Sequence, residues 1–357
     1  MISNIELKNL KDYYNYNCKY TDDILKFDIN NNKDNDIDIS FVNSIRRIIE
    51  EENEAYFLNK DTFNILRNNT IYNNDIVIHI ISSLPYIKKF GDKYDINNLT
   101  IELNILNDNE YPIEIKSSDL IFKYNDKVID RFVTYNNIIL FNVVRPGEGI
   151  NISYSLKKSN PIKDGAFLKQ CCKNIFTYKI NEKLLEEMIN KEDFKDEKDL
   201  IHYKIENKQL AYDKNKYNKP MIYSYEIESN GIVSGLDSLK EGVCNIKLKL
   251  NNILKNLKYP SDDYFSIKAN ENNPNITNIL FYNETCTLGN VISHYLSRNS
   301  KLLNSSSSFI PHPLDNKLYI YLHFKDSKDN NIDNAKIIIE DTIKQLLSLY
   351  DKFINYF

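Results

Sequence analysis

The chain has 357 residues, 42 % of them hydrophobic and 27 % charged, the balance of an ordinary soluble globular protein with length for two or three domains. Its 46 basic side chains meet 50 acidic ones, for a formal charge of -4, and the two signs are interspersed. The basic stripe of a protein that grips nucleic acid by its phosphates is therefore not expected. No apolar run approaches the roughly 20 residues that span a bilayer, and Met1-Ile2-Ser3-Asn4-Ile5-Glu6 lacks the basic stretch and apolar core of a secretory signal.

Residues 1–40 read as one or two short strands. Ile24-Leu25-Lys26-Phe27-Asp28-Ile29 alternates roughly as a half-buried strand does, and Asn30 to Asp38 reads as a loop. Asn, Lys, Ile and Tyr share AT-rich codons, so Asn30-Asn31-Asn32 is read as loop rather than as a prion-like tract. Ser40 is placed to cap a helix over 41–52. At about 100° per residue, Phe41, Val42, Ile45, Ile48 and Ile49 share one arc, with Asn43, Arg46, Arg47 and Glu50 opposite. Asp75 to Leu84 reads as a buried apolar element stopped by Pro85.

From 88 to 160 strand patterns recur between turn signals, at Leu99–Leu106, Ile113–Lys116, Leu120–Tyr124, Ile138–Val144 and Ile150–Leu156, which predicts a small, mostly β module. The charge-rich stretch 182–219 reads as a mobile or helical excursion on the surface. Met221 to Glu228 alternates like a strand. Ser234-Gly235-Leu236-Asp237 is a capping-box start. After it Leu236, Leu239, Val243, Ile246, Leu250, Ile253 and Leu257 keep the three-and-four spacing of a coiled-coil-like seam. Tyr259-Pro260-Ser261-Asp262-Asp263 marks the main boundary. Beyond it lie a strand over Asn278–Tyr282, a helix over Thr287–Leu296, a strand over Leu318–Phe324 and a long helix over 332–356. In that helix Ile332, Ala335, Ile339, Ile343, Leu346, Tyr350, Phe353 and Phe357 repeat the spacing.

Two related helix entries, Phe41 to Ile49 and Thr287 to Leu296, thus each head a half that ends in a long amphipathic helix. Neither stripe has a partner within its own half. Two such stripes can bury each other, and at ~25 cal/mol per Å² of apolar surface such pairing contributes several kcal/mol or more.

Residues for chemistry are sparse. Cys18, Cys171, Cys172, Cys244 and Cys286 form no C-x-x-C pair, so buried thiols and no metal are expected. His79, His202, His294, His312 and His323 lie near no cysteine or carboxylate at ligand spacing, and no serine sits in a nucleophile elbow. The eight glycines form no phosphate-binding loop. Asp22-Asp23 and Asp262-Asp263 read as solvated charge.

Six motifs in order resemble the alpha-type subunits of multisubunit DNA-dependent RNA polymerases. Asn43-Ser44-Ile45-Arg46-Arg47-Ile48-Ile49, Ile81-Ser82-Ser83-Leu84-Pro85, Arg145-Pro146-Gly147-Glu148 and Tyr225-Glu226-Ile227-Glu228-Ser229-Asn230-Gly231 are similar to the third-largest subunit of the eukaryotic enzyme and its archaeal and bacterial counterparts. Glu284-Thr285-Cys286-Thr287-Leu288-Gly289-Asn290 and Phe309-Ile310-Pro311-His312-Pro313-Leu314 are similar to its small eleventh-subunit partner. Both partners in one polypeptide resemble the fused subunit of large cytoplasmic DNA viruses. The zinc-binding cysteine loop, the iron–sulfur module and the C-terminal DNA-binding domain of some relatives have no counterpart in the sequence.

The resemblance implies an α+β fold: two alpha-type dimerisation domains packed as an intramolecular pseudo-heterodimer. The first, 1–87 and 161–258, is interrupted by a mostly β insert, 88–160; the second is 262–357. Helix 41–52 is expected to pair with 287–297, and 235–257 with 332–356. Phe41, Ile45, Ile48, Leu288, Gly289, Ile292, Leu239, Ile246, Leu250, Ile343, Leu346 and Tyr350 would form the interface. The implied function is a non-catalytic assembly platform holding the two largest polymerase subunits, with small polymerase subunits as further partners. No catalytic residue, cofactor, metal, membrane or direct sequence-specific DNA contact is expected. Asn43, Arg46 and Arg47 would dock onto a large subunit, where composition alone reads a solvated face. Gly289 fits either a permissive first turn, capped by Thr287, or close approach of helix 41–52. The implied location is a cytoplasmic viral factory and the virion, with the nucleus as alternative. A stand-alone adaptor with two partner-binding halves is the competing reading.

Overall fold

The computed structural model describes residues 1–8, 24–31, 37–135, 137–165, 168–215, 218–258, 264–270, 273–312, 314 and 317–357. Cys18, the Asp22-Asp23 and Asp262-Asp263 pairs and the Tyr259–Asp263 break lie outside these residues. In chain order the elements begin with β1 (Ile2–Lys8), β2 (Ile24–Asn30), α1 (Ile39–Glu51), β3 (Ala55–Leu58), β4 (Asn64–Asn68), α2 (Asn74–Ser82) and α3 (Lys88–Gly91). There follow β5 (Leu99–Leu106), β6 (Ile113–Lys116), β7 (Ile121–Tyr124), β8 (Lys127–Ile129), β9 (Ile139–Val144), β10 (Gly149–Tyr154), β11 (Leu156–Ser159) and α4 (Pro161–Asp164). Next come β12 (Cys171–Tyr178), α5 (Glu182–Ile189), α6 (Glu197–Asn207), β13 (Ile222–Ser229) and α7 (Gly235–Lys258). The chain closes with β14 (Phe265–Ala269), β15 (Ile276–Tyr282), α8 (Cys286–Asn299), β16 (Leu303–Phe309), β17 (Lys317–Phe324) and α9 (Ile332–Ile354).

Two antiparallel four-stranded sheets, ordered β1-β2-β13-β12 and β14-β15-β17-β16, carry the two ends of the chain. Each strand pattern of period two buries one face: Tyr223, Tyr225 and Ile227 of β13, and Leu318, Ile320 and Leu322 of β17. These faces meet the apolar stripes of α1, α7, α8 and α9 in a single core that draws on both sheets. Helix α1 packs on α7 and α8, and α9 packs on α7 and α8.

Local chemistry sets the helix starts. Asp38, not Ser40, caps α1: its carboxylate accepts from the Ser40 amide at 2.9 Å, and the helix opens at Ile39, two residues before its apolar arc. Ser234 opens α7 by accepting from the Asp237 amide at 3.0 Å while donating to the Asp237 carboxylate at 2.8 Å. At Gly242 the α1–α7 crossing is close, because a Cβ there would lie 2.7 Å from Cγ1 of Ile49.

A second core belongs to a β module built on the five-stranded sheet β4-β10-β5-β7-β8, with the β3–β11 and β6–β9 pairs beside it. The module reaches further back than 88. β3 pairs with β11 and β4 with β10, so Ala55 to Ile87, expected with the first domain, pack into this core. Ala55-Tyr56-Phe57-Leu58 is buried on both faces and shows no alternation, which is why so short a run was not legible as a strand. The apolar element expected over Asp75 to Leu84 is the helix α2, which ends at Ser82 and is buried at Val77 and Ile81 but exposed at Ile76. Between β12 and β13 the excursion is helical, and α5 and α6 bury no residue.

Candidate subunit-docking surface and the seam between the chain ends

Phe41 of α1 and Tyr350 of α9 stack with ring centroids 4.5 Å apart. Ser44 donates to the Phe41 carbonyl at 2.6 Å, which leaves the Tyr350 hydroxyl, 2.7 Å away, as donor to Ser44. Burial raises the Tyr350 hydroxyl pKa well above its ordinary value, so it stays a donor. Phe353 meets Phe41 edge-on at 5.8 Å and Phe27 at 6.1 Å, carrying the contact from α9 to the first sheet. Ile45, Ile48, Leu239, Ile246, Leu250, Leu288, Ile292, Ile343 and Leu346 all lie in this same core. Each fully buried side chain of this kind contributes about 1.5–3 kcal/mol.

A buried polar cluster ties the seam beside them. Lys249 of α7 sits 2.9 Å from Glu52 and 2.8 Å from Glu284, and Tyr264 donates to Glu284 at 3.0 Å. Burial opposes the charge on Lys249, but Glu284 and Glu52 hold its pKa above the ordinary 10.5. Burial pushes the Glu52 carboxyl up, and Lys249 offsets only part of that. Lys247 and Asp351 pair across α7 and α9. At the start of α1, Asp38 holds Lys219 at 2.6 Å and His294 of α8 at 3.2 Å. Burial would raise the Asp38 pKa, yet the Lys219 hydrogen bond, the Ser40 amide and His294 bring it below the usual carboxylate range. The motif around Glu284 was visible in the sequence. Lys249 was not, because its partners lie far from it in the chain and a lone lysine on an amphipathic helix carries no signal.

The polar face of α1 runs along this seam. Arg46 donates through Nε to Asn43 at 3.0 Å and pairs with Glu50 at 3.0 Å; Arg47 pairs with Glu51 at 2.5 Å. These i,i+4 pairs contribute only about 0.3–0.5 kcal/mol each. Asn174 of β12 donates to the Arg46 carbonyl at 2.8 Å and anchors the turn that presents them.

Two details differ from the sequence reading. The N-cap of α8 is Thr285, which makes no side-chain cap bond, and Thr287 is buried inside the first turn with its hydroxyl unpartnered. A Cβ on Gly289 would lie 2.7 Å from Cδ1 of Leu318 and 3.0 Å from Cβ of Ser308, so the close approach is to the helix's own sheet and not to α1. The glycine lets α8 settle onto β16 and β17.

Residues 277–355, from β15 through α9, match the family model of the RNA polymerase Rpb3/Rpb11 dimerisation domain. No curated protein matches the chain. The matched segment comprises strands and helices whose apolar faces complete the shared core with α1, α7 and the first sheet. Among the described residues no group of three or more His, Cys, Asp or Glu could hold a metal ion, and no helix is long and apolar enough to cross a membrane.

Proposed function

We propose that the chain is a non-catalytic assembly-platform subunit of a multisubunit DNA-directed RNA polymerase that holds the two largest subunits together. The observation that carries this reading is that a matched dimerisation domain buries its apolar face against another sheet and pair of helices of the same polypeptide. On this reading residues 1–54 and 168–258 supply the third-subunit-like partner, and the pair is a fused pseudo-heterodimer. Tethering sets the effective concentration of the second half on the order of millimolar, so pairing does not depend on subunit abundance. The Asn43–Arg46–Arg47 face then docks a large subunit, small polymerase subunits complete the assembly, and DNA is not read by this chain. A fused platform fits a viral polymerase working in a cytoplasmic factory and packaged in the virion, with the nucleus as the other location. Affinity purification from the source cell tests this. Two much larger chains recovered in fixed ratio support it, whereas unrelated partners without them would instead indicate a free-standing adaptor.

A further inference from the structure

The helices cover one side of each end sheet, and the strand residues between the buried ones point to the other side. On the first sheet that outer side is charged and neutralised within itself. Glu226 pairs with Lys26 at 3.4 Å and with Lys173 at 2.9 Å, and Asp28 pairs with Lys179 at 2.7 Å. The second sheet is different. Its register sets Phe309, Tyr319 and Leu280 in one outer row and Tyr321, Asn278 and Lys268 in the next, with Lys317 opposite Tyr282 at one end. Tyr319, Tyr321, Leu280 and Tyr282 neither belong to a core nor pack against one, and Phe309 is 50 % exposed. The Tyr319 and Tyr321 rings lie side by side, their planes 12° apart and their centroids 6.3 Å apart. None of β14, β15, β16 and β17 carries an Asp or Glu, in a chain that has 50 of them.

Aromatic planes on an open antiparallel sheet, with cations among them and no competing carboxylate, suit a single nucleic-acid strand, whose bases stack on rings and whose phosphates meet lysines. An acidic protein segment would match the lysines but leave the flat ring faces unused. An apolar protein surface would use the rings but bury Lys268 and Lys317 without a counter-charge, which is costly. We propose that this outer face binds single-stranded RNA without reading its sequence. The choice of RNA over DNA rests on the platform reading above, because RNA is the strand a polymerase releases, and its 2′-hydroxyl offers the tyrosine hydroxyls a partner that DNA lacks. Two lysines make a small electrostatic contribution, so stacking carries the affinity, and the acidic balance of the whole chain does not oppose it.

Fluorescence anisotropy of a labelled, mixed-sequence single-stranded RNA of about 12 nucleotides, titrated with the full chain, tests this. Binding should weaken with salt at a shallow slope of about -1.4 in log–log terms, the value for two phosphate contacts on a single strand. Tyr319→Thr with Tyr321→Thr keeps strand-favouring residues and should weaken binding about ten-fold or more. Lys268→Gln with Lys317→Gln leaves the rings in place and should flatten the salt slope at an unchanged melting temperature. A wild-type chain that does not bind the RNA overturns the assignment, as does equal binding by both double variants. Tighter binding of the matching DNA strand overturns the choice of RNA. If RNA does not bind but both variants lose recovery of the large subunits, the face docks a protein and the assignment fails while the platform stands. The platform reading is judged by that recovery with the wild-type chain, independently of the RNA titration.

Discussion

Replacing Lys249 by methionine removes the cation between Glu52 and Glu284 while keeping most of the side-chain volume. At an effective dielectric of about 20, contacts of 2.8 and 2.9 Å are each worth roughly 6 kcal/mol before desolvation is counted. The net loss is smaller, because Lys249 and both carboxylates were themselves taken out of water. Removing one member of such a buried cluster costs about 3–5 kcal/mol, since the remaining charges stay buried without compensation. The deficit should depend on pH. Burial already raises the Glu52 carboxyl from its ordinary 4.5, and without the lysine that rise grows. The folded variant then binds more protons than the unfolded chain between pH 4.5 and the folded pKa, so its stability falls as pH rises through that window. Thermal melting followed by circular dichroism should show a deficit greatest near neutral pH and partly recovered towards about pH 5. Adding Glu52→Gln and Glu284→Gln should restore much of the loss. A Lys249→Met chain that melts with the wild type across this range would refute the reasoning.

Further outcomes follow from the same geometry. Tyr350→Phe should cost about 1 kcal/mol, one hydrogen bond to Ser44, whereas Tyr350→Ala should cost about 3–5 kcal/mol by emptying the stack on Phe41, both read by denaturant melts. Gly289→Ala should destabilise by about 1–3 kcal/mol despite the better helix propensity of alanine, because its Cβ meets Leu318 and Ser308. Asp28 and Asp38 both have lowered pKa values, Asp28 against burial through Lys179, Ser224 and Asn4. Their contribution is present above the ordinary 3.8 and is lost as pH falls below it through their folded pKa values. Asp38→Asn should therefore flatten acid unfolding in that region, in melts taken at successive pH values.

The long seams of α7 and α9 were legible because many buried positions at three-and-four spacing cannot be mistaken for a strand. β5 and β6 were legible from alternation between turn residues. β16 was not: Leu303-Asn304-Ser305-Ser306-Ser307-Ser308-Phe309 shows almost no apolar pattern, because it is an edge strand whose serines face α8 and solvent. β3 and β4 were missed because they are short and are defined by partners about 90 residues later. The polar side of the candidate site was half visible. Asn43, Arg46 and Arg47 stand out as a polar face on one helix, but Asn174, which anchors the Arg46 turn, and Lys249, which ties Glu52 to Glu284, come from elsewhere in the chain, and no local pattern joins them. The resemblance supplied the pairing of the halves; spacing alone supplied only two stripes without partners.

The pairing of Ser44 with Tyr350 spans 306 residues. During synthesis at about 5–20 residues per second, α1 emerges from the ribosome roughly 15 to 60 s before the tyrosine it stacks beside. For that interval its greasy side is without its final cover, while most residues of the β module are already made. The nascent polypeptide thus presents a sticky helix early and seals it last, which makes translation speed and chaperone supply determinants of how much of this protein reaches its folded form.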